Sequence, residues 1–281
     1  MTTRIVTDST SDLSPRLAQE LGVSVVPLSV IFGDEVFKEG VEISHDLFYD
    51  RLVRGKVHPS TSAPSVGDFL EVYEPAVAAG DEIVSIHLSS KLSATYNNAC
   101  QAAAQLAEQG ARIEVIDSLT VSFGLTFMAT AAARASASGA GAEEIRSLVE
   151  SMVPRVRIIV LLDTLEYVRR GGRIGRARAF LGSMLRVKPL LLIRDGEVHP
   201  GERVRTKALA LERLYQIVTS SPGITELAVG YSTAPQDAEE MRKRLATAYP
   251  NVKVGVARLG PVLGVHGGPG TLGIGVLEGE G

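Results

Sequence analysis

The feature that most restricts the fold is an alternation. Short apolar runs recur, each followed by a polar loop and then by a segment with helical spacing. RIVTDST (4–10) precedes LSPRLAQELG (13–22), which closes on a glycine where a C-cap would fall. VSVVPLSVIFG follows as a second strand region, and its internal proline predicts an edge or a break. HDLFYDRLVRG reads as a helix over 45–54. EIVSIHL (82–88) and RIEVIDS (112–118) are further strands, with helices expected over 94–108 and 122–138. Such an order is that of βαβ units and predicts a mainly parallel sheet flanked by helices.

The second half reads as α+β. ASASGAGAEE (135–144) predicts a loop, and a helix follows over 143–152. VRIIVLLDTLEYV (156–168) begins as a strand and ends as a helix, and PLLLIRDGEVHP (189–200) is a hairpin with Asp195-Gly196 at its tight turn. A helix over 207–220, a strand over 226–232, a helix over 234–249 and a strand over 253–260 close the series. The expected architecture is α/β with two domains. Residues 1–160 form an N-terminal α/β domain with hydroxyl-rich ligand loops, and residues 161–281 a C-terminal α/β (α+β-like) domain with an arginine cluster.

In an open parallel sheet, ligands collect beyond the carboxyl ends of the strands. Three such ends carry hydroxyl-rich loops, TDSTSD, HLSSKLSAT and DSLTVS, and a fourth such loop is HPSTSAPS (58–65). The stretch HLSSKLSATYNNA sets Ser89, Ser90, Ser93, Thr95 and Tyr96 at a strand-to-helix junction whose only cation is Lys91. Helix starts present unpaired N–H groups, so the junction suits an anion held by hydroxyls rather than by arginine. Any one of these loops taken alone reads equally as a turn or a cap.

Several function classes are excluded or disfavoured. A net charge of −3 gives no general attraction to nucleic acid or to an anionic membrane. A single cysteine, Cys100, excludes an internal disulfide and fits a reducing compartment, and MTTRIVTDSTSD lacks the apolar core of a signal peptide, so the expected location is cytoplasmic. No P-loop and no G-x-S-x-G elbow is present, and the five histidines lack the spacing of a local metal pair. GPGTLG (268–273) matches G-x-G-x-x-G with no room for a following βαβ unit, and the HGG at 266–268 reads as a turn. Asp8 and Asp12 read as helix caps before they read as an acid–base pair. Arg169, Arg170, Arg173, Arg176, Arg178, Arg186 and Lys188 follow with no acid between Glu166 and Asp195. They form either a solvated face or, beside the glycines of RRGGRIGR, a place for a phosphate or an acidic partner. No aromatic residues interleave with them to stack bases, so no nucleic-acid partner is expected.

VTDSTSDL, TSAPSVGDF (61–69), HLSSKLSATYNNA, DSLTVSFGL, LDTLEYVRRGGRIG, KPLLLIRDGEV and HGGPGTLGIG together resemble the DegV family along the whole chain. That resemblance implies a fatty-acid-binding protein whose lipid lies buried between two α/β domains. It further implies a non-catalytic, lipid-carrying subunit of a bacterial fatty acid kinase. Such a subunit presents the bound carboxyl group to a separate ATP-binding kinase subunit and feeds phospholipid metabolism. No cofactor is implied beyond the ligand, a long-chain fatty acid such as palmitate or a C16–C18 relative, and membrane contact is at most transient. Carried over by motif, Thr61 and Ser93 match the carboxylate-binding positions, with Ser62 as a third donor and His266 beside them. Arg170, Arg173, Arg203 and Arg205 match the head-group and partner-docking region. Ala94 stands where relatives commonly have glycine, and Gly268 belongs to an HGG where one glycine is usual.

Physical chemistry agrees with a carboxylate on a long tail. Burying a methylene is worth about 0.8 kcal/mol, so ~15 of them supply roughly 12 kcal/mol before the costs of binding, and the head needs donors rather than a counter-charge. Two other readings stand beside the carrier. One is a stand-alone serine esterase or acyltransferase using Ser93 or a neighbour with His87 or His266 as base. The other is a lipid-sensing regulatory module. Candidate pocket walls are Ile31, Phe32, Phe123, Phe127, Met128 and Leu185, each of which reads first as an ordinary core residue.

Overall fold

The computed structural model describes residues 2–181, 187–221 and 223–279. The first apolar run is β1 (Thr3–Asp8), followed by α1 (Pro15–Leu21). Ser14 caps α1 by accepting from the Leu17 N–H, and Gly22 ends it at φ 65°. The proline-bearing run splits into β2 (Val23–Val26) and β3 (Ser29–Phe32), and the two halves enter different sheets. Pro27 is therefore both a break and the end of an edge strand. Next come β4 (Glu35–Lys38), α2 (His45–Arg54), β5 (Ser60–Ser62) and α3 (Val66–Ala78). Sequence reading gave no element over 66–78. Gly67 and Pro75 weaken its helical signal, but a Ser65–Asp68 capping box starts it, and Phe69 and Tyr73 bury fully.

The strands β6 (Glu82–His87) and β7 (Ile113–Asp117) alternate with α4 (Thr95–Ala107), α5 (Phe123–Ala137) and α6 (Ala142–Met152). All pairings in the sheet β2-β1-β6-β7 are parallel, as the βαβ order predicts. Its two faces carry separate cores. Phe69, Tyr73, Ile83 and Ala102 pack on one, and Leu125, Met128, Ile145 and Val149 on the other. A small antiparallel sheet, β4-β3-β5, packs on α2 through Val30, Phe32 and Phe48.

The second domain is built on six strands. They are β8 (Val156–Leu161), β9 (Lys188–Arg194), β10 (Glu197–Val204), β11 (Ile224–Tyr231), β12 (Val254–Arg258) and β13 (Leu272–Glu278), in the order β10-β9-β8-β13-β11-β12. Its helices are α7 (Glu166–Arg170), α8 (Lys207–Thr219), α9 (Pro235–Ala248) and α10 (Pro261–Gly267). The β9–β10 turn is Asp195-Gly196, both at positive φ, as a two-residue hairpin requires. Residues 253–260 do not close the series. Beyond them lie α10 and β13, and β13 sits in the middle of the sheet between β8 and β11. Its glycines hid it, because glycine is depleted in strands. Gly275 is nevertheless required, since a Cβ there would lie 2.5 Å from Phe123 Cβ. Alternate residues of β8 face opposite ways: Ile159 and Leu161 pack with Leu214 and Met241 under α8 and α9, while Ile158 and Val160 face the first domain. Among the described residues no helix is long and apolar enough to cross a membrane.

Candidate functional site

Between the loops of the parallel sheet and the inner face of the six-stranded sheet lies a cavity of about 150 Å³, the space open to the centre of a water-sized sphere. Its walls are hydrocarbon: Leu88 and Val121 from the parallel sheet's loops, Ile158 and Val160 from β8, and Leu191 and Ile193 from β9. Of the wall candidates read from sequence, Phe123 lines it. Phe32 belongs to the core under α2, Phe127 and Met128 to the core under the parallel sheet, and Ile31 is half-buried outside the cavity. Leu185 and Arg186 lie outside the described residues.

Polar groups gather where β5, α10 and the loop before α4 meet. Thr61 Oγ1 lies 3.0 Å from His266 Nε2, joining residues 205 positions apart. Ser93 lines the same cavity, and its Oγ lies 2.8 Å from Thr95 Oγ1 and accepts from the Thr95 N–H at 3.3 Å. Arg173 also reaches the lining. Its guanidinium donates to the Leu92 and Gly171 carbonyls and has no carboxylate partner among the described residues. Burial, with Arg173 and His58 nearby, pushes the His266 imidazole down to about 4, so it is neutral at physiological pH. Its Nδ1 is buried without a hydrogen-bond partner among the described residues and packs on Gly171, where a Cβ would lie only 2.2 Å away. A neutral imidazole, two hydroxyls and one uncompensated guanidinium can hold a single anion at the end of an apolar cavity.

Four of the residues carried over by motif do not meet there. Ser62 is exposed and its hydroxyl donates to the Ala63 carbonyl, because neighbouring residues on a strand face opposite ways and Thr61 takes the inward side. Arg170 is exposed and paired with Glu166 at 2.6 Å. Arg203 is exposed with its guanidinium 5.1 Å from the Phe180 ring centroid, and Arg205 is exposed. None of these four lines the cavity. The arginine cluster thus divides. Arg169 and Arg170 share Glu166, Arg176 pairs with Glu197 and Lys188 with Asp163, and among the cluster's described residues Arg173 alone lines the cavity.

The hydroxyl-rich stretch divides likewise. Ser89 Oγ donates to the Gly196 carbonyl and Lys91 Nζ to the Asp195 carbonyl, so both clasp the hairpin turn of the second domain. Ser93 is the hydroxyl of the stretch that reaches the cavity, beside Leu88 and Leu92. Two buried networks went unread in the sequence. Asp8 accepts from the Thr10 N–H and hydroxyl and from the Leu88 N–H, and its Oδ2 lies 3.1 Å from His87 Nδ1. His87 Nε2 contacts Ser85 Oγ at 2.7 Å, and Tyr73 donates to the same oxygen. The turn-cap role of Asp8 was legible; its imidazole partner 79 residues away was not. Asp12 accepts from the Gly260 N–H and the Ser122 hydroxyl, and Glu39 accepts from the Val262 N–H, so two carboxyls hold the start of α10. Burial pushes Asp12 up to about 7 and Glu39 to about 8.

Known proteins resemble this chain along its whole described length. The DegV family model matches residues 2–279. A DegV domain-containing protein of Halalkalibacterium halodurans is 36% identical over 280 residues, covering 96% of each chain, and one from Streptomyces coelicolor is 38% identical over 274 residues with the same coverage. Among solved structures, a DegV family protein from Thermus thermophilus described by its fatty acid binding is 33% identical, with a TM-score of 0.91 over 99% of this chain and 100% of its own. DegV of Bacillus subtilis, described as a fatty acid binding protein, is 30% identical with the same TM-score and coverage.

Proposed function

Because the chain belongs to the DegV family, we propose that it binds a long-chain fatty acid, with the tail in the apolar cavity and the carboxylate at Thr61, Ser93 and His266, and presents that carboxylate to a separate ATP-dependent kinase subunit. The observation that carries the reading is the cavity itself, hydrocarbon along its walls and polar where Thr61, His266, Ser93 and Arg173 meet. Hydroxyl and backbone donors satisfy a buried carboxylate without locking it in a bidentate ion pair, which leaves its oxygens available to attack a phosphoryl group. Arg173 lines the cavity while remaining exposed to solvent, which suits it to the charge of an acyl phosphate. Exposed Arg170, Arg203 and Arg205 supply a cationic surface for the partner.

Native mass spectrometry of the purified protein, followed by lipid identification, tests the binding half. One fatty acid per chain is expected, lost in a folded Thr61→Val/Ser93→Ala double variant. A chain that is empty and refuses added palmitate overturns the reading. For the kinase half, phosphorylation of bound acid by ATP is expected only when a kinase subunit is added.

A further inference from the structure

We propose that Ser122 is a nucleophile, with Asp12 as its general base, placed to cleave an acyl ester of a lipid lying in the cavity. Ser122 is buried and lines the cavity, and its hydroxyl donates to Asp12 Oδ2 at 2.7 Å, within the reach a base needs. Its backbone is at φ 59°, ψ −131°, a region in which glycine is the usual occupant. Ser122 follows β7 at the edge of the parallel sheet and is the N-cap residue of the 15-residue α5. A serine on a sharp, strained turn between a strand and a helix is how α/β-hydrolases expose their nucleophile.

The local sequence is Thr120-Val121-Ser122-Phe123-Gly124, with threonine where the hydrolase elbow carries its first glycine. The close packing that those small residues serve is present. A Cβ on Gly124 would lie 2.5 Å from Thr120 Oγ1 and 2.7 Å from Val156 Cγ1. The first N–H groups of α5, on Phe123 and Gly124, have no intrahelical partner and directly follow the nucleophile, the position of an oxyanion donor. Asp12 keeps its place because its other oxygen accepts from the Gly260 N–H. The groups that face it are Asp8 from β1, Glu39 after β4 and Tyr49 from α2; its raised carboxyl suits proton exchange near neutral pH.

The steps balance without redox chemistry. Ser122 Oγ bonds to the ester carbonyl carbon while its proton passes to Asp12 Oδ2. The tetrahedral centre collapses, the ester C–O bond breaks, and the leaving alkoxide takes the proton from Asp12. Water then attacks the acyl carbon, giving its proton to Asp12. The bond from carbon to Ser122 Oγ breaks, that oxygen recovers the proton, and a fatty acid and an alcohol are released. This site shares the cavity with the Thr61–His266 pair but uses other side chains, and a covalent Ser122 adduct is read out independently of fatty-acid affinity. Asp12 holds residue 260 and His266 lies six residues on, roughly 9 Å along α10, so failure of one site leaves the other standing.

The test is a long-chain alkyl fluorophosphonate, which exchanges fluoride for a serine oxygen, followed by intact-mass and peptide mapping. One adduct on Ser122 is expected, absent in Ser122→Gly and formed at least tenfold more slowly in Asp12→Asn. Ser122→Gly keeps the fold because glycine accepts this backbone, which its thermal midpoint checks. Hydrolysis of a medium-chain p-nitrophenyl ester should disappear in the same two variants. No adduct, an adduct on Ser93 or elsewhere, or hydrolysis unchanged in Ser122→Gly overturns the assignment.

Discussion

Gly171→Ala separates the head-group geometry from the rest of the fold. Gly171 ends α7 at φ −68°, ψ −8°, which alanine adopts without strain, so the backbone contributes nothing to the effect. Its added Cβ would stand 2.2 Å from His266 Nδ1 and 2.8 Å from Cε1, where ordinary contact begins near 3.4 Å. The imidazole must retreat by about 1 Å, and the helix that carries it is held by the Asp12 and Glu39 contacts with Gly260 and Val262. The 3.0 Å contact between His266 and Thr61 is therefore what yields. Overpacking of this kind costs ~1–3 kcal/mol of stability. Losing a hydrogen bond to a charged carboxylate removes ~1.5–3 kcal/mol of binding, roughly 10- to 100-fold in affinity. Titrating a fluorescent fatty acid into the variant and into Gly67→Ala, whose Cβ would meet only Ser65 Oγ at 3.6 Å, gives the comparison. Unchanged affinity in a folded Gly171→Ala would refute the placement of the carboxylate at His266.

Gly273 lines the cavity, and a Cβ there would meet nothing closer than 3.8 Å, so Gly273→Val grows into the space for the tail; mass spectrometry of lipid taken up from a mixture should show shorter acyl chains than in the parent. The acids Asp12 and Glu39 have folded pKa values of about 7 and about 8, above their unfolded ones, so their stabilising contribution is fully present in acid and is lost as pH rises through those values. The depressed His266 acts in the opposite sense, but only below its unfolded value of 6.5. Between pH 6.5 and about 8 urea unfolding should therefore show stability falling by about 2 kcal/mol, at ~1.4 kcal/mol per unit, and Glu39→Gln should flatten that slope. Gly196 is at φ 77°, and a Cβ there would lie 2.4 Å from Ser89 Oγ, so Gly196→Ala should lower the thermal midpoint by more than Gly67→Ala changes it.

How much of this was legible depended on the range of the interaction. Strand and helix patterns are local. The parallel sheet, the Pro27 break, the Gly22 cap and the Asp195-Gly196 turn could all be read from neighbours in the chain. The central strand β13 could not, because its glycines mask the strand signal and Gly275 is explained only by Phe123, which lies against it from 152 residues away in the chain. Thr61 and Ser93, carried over by motif, line the cavity, while strand parity turns Ser62 outward and Arg170 is exposed and paired with Glu166.

By itself the sequence determined which residues carry donors, where backbone turns are permitted, and that the loops at the sheet's carboxyl ends are rich in hydroxyls. The tertiary structure decided which of those hydroxyls faces the apolar cavity and which clasps a turn, as Ser93 and Ser89 show. It also set the partners of Asp12: Ser122 is 110 residues from it in the chain and Gly260 is 248. The reason is physical. Propensity and capping act over a few residues of chain, whereas a buried carboxyl's partner and a side chain's burial are fixed only when distant strands and helices pack together.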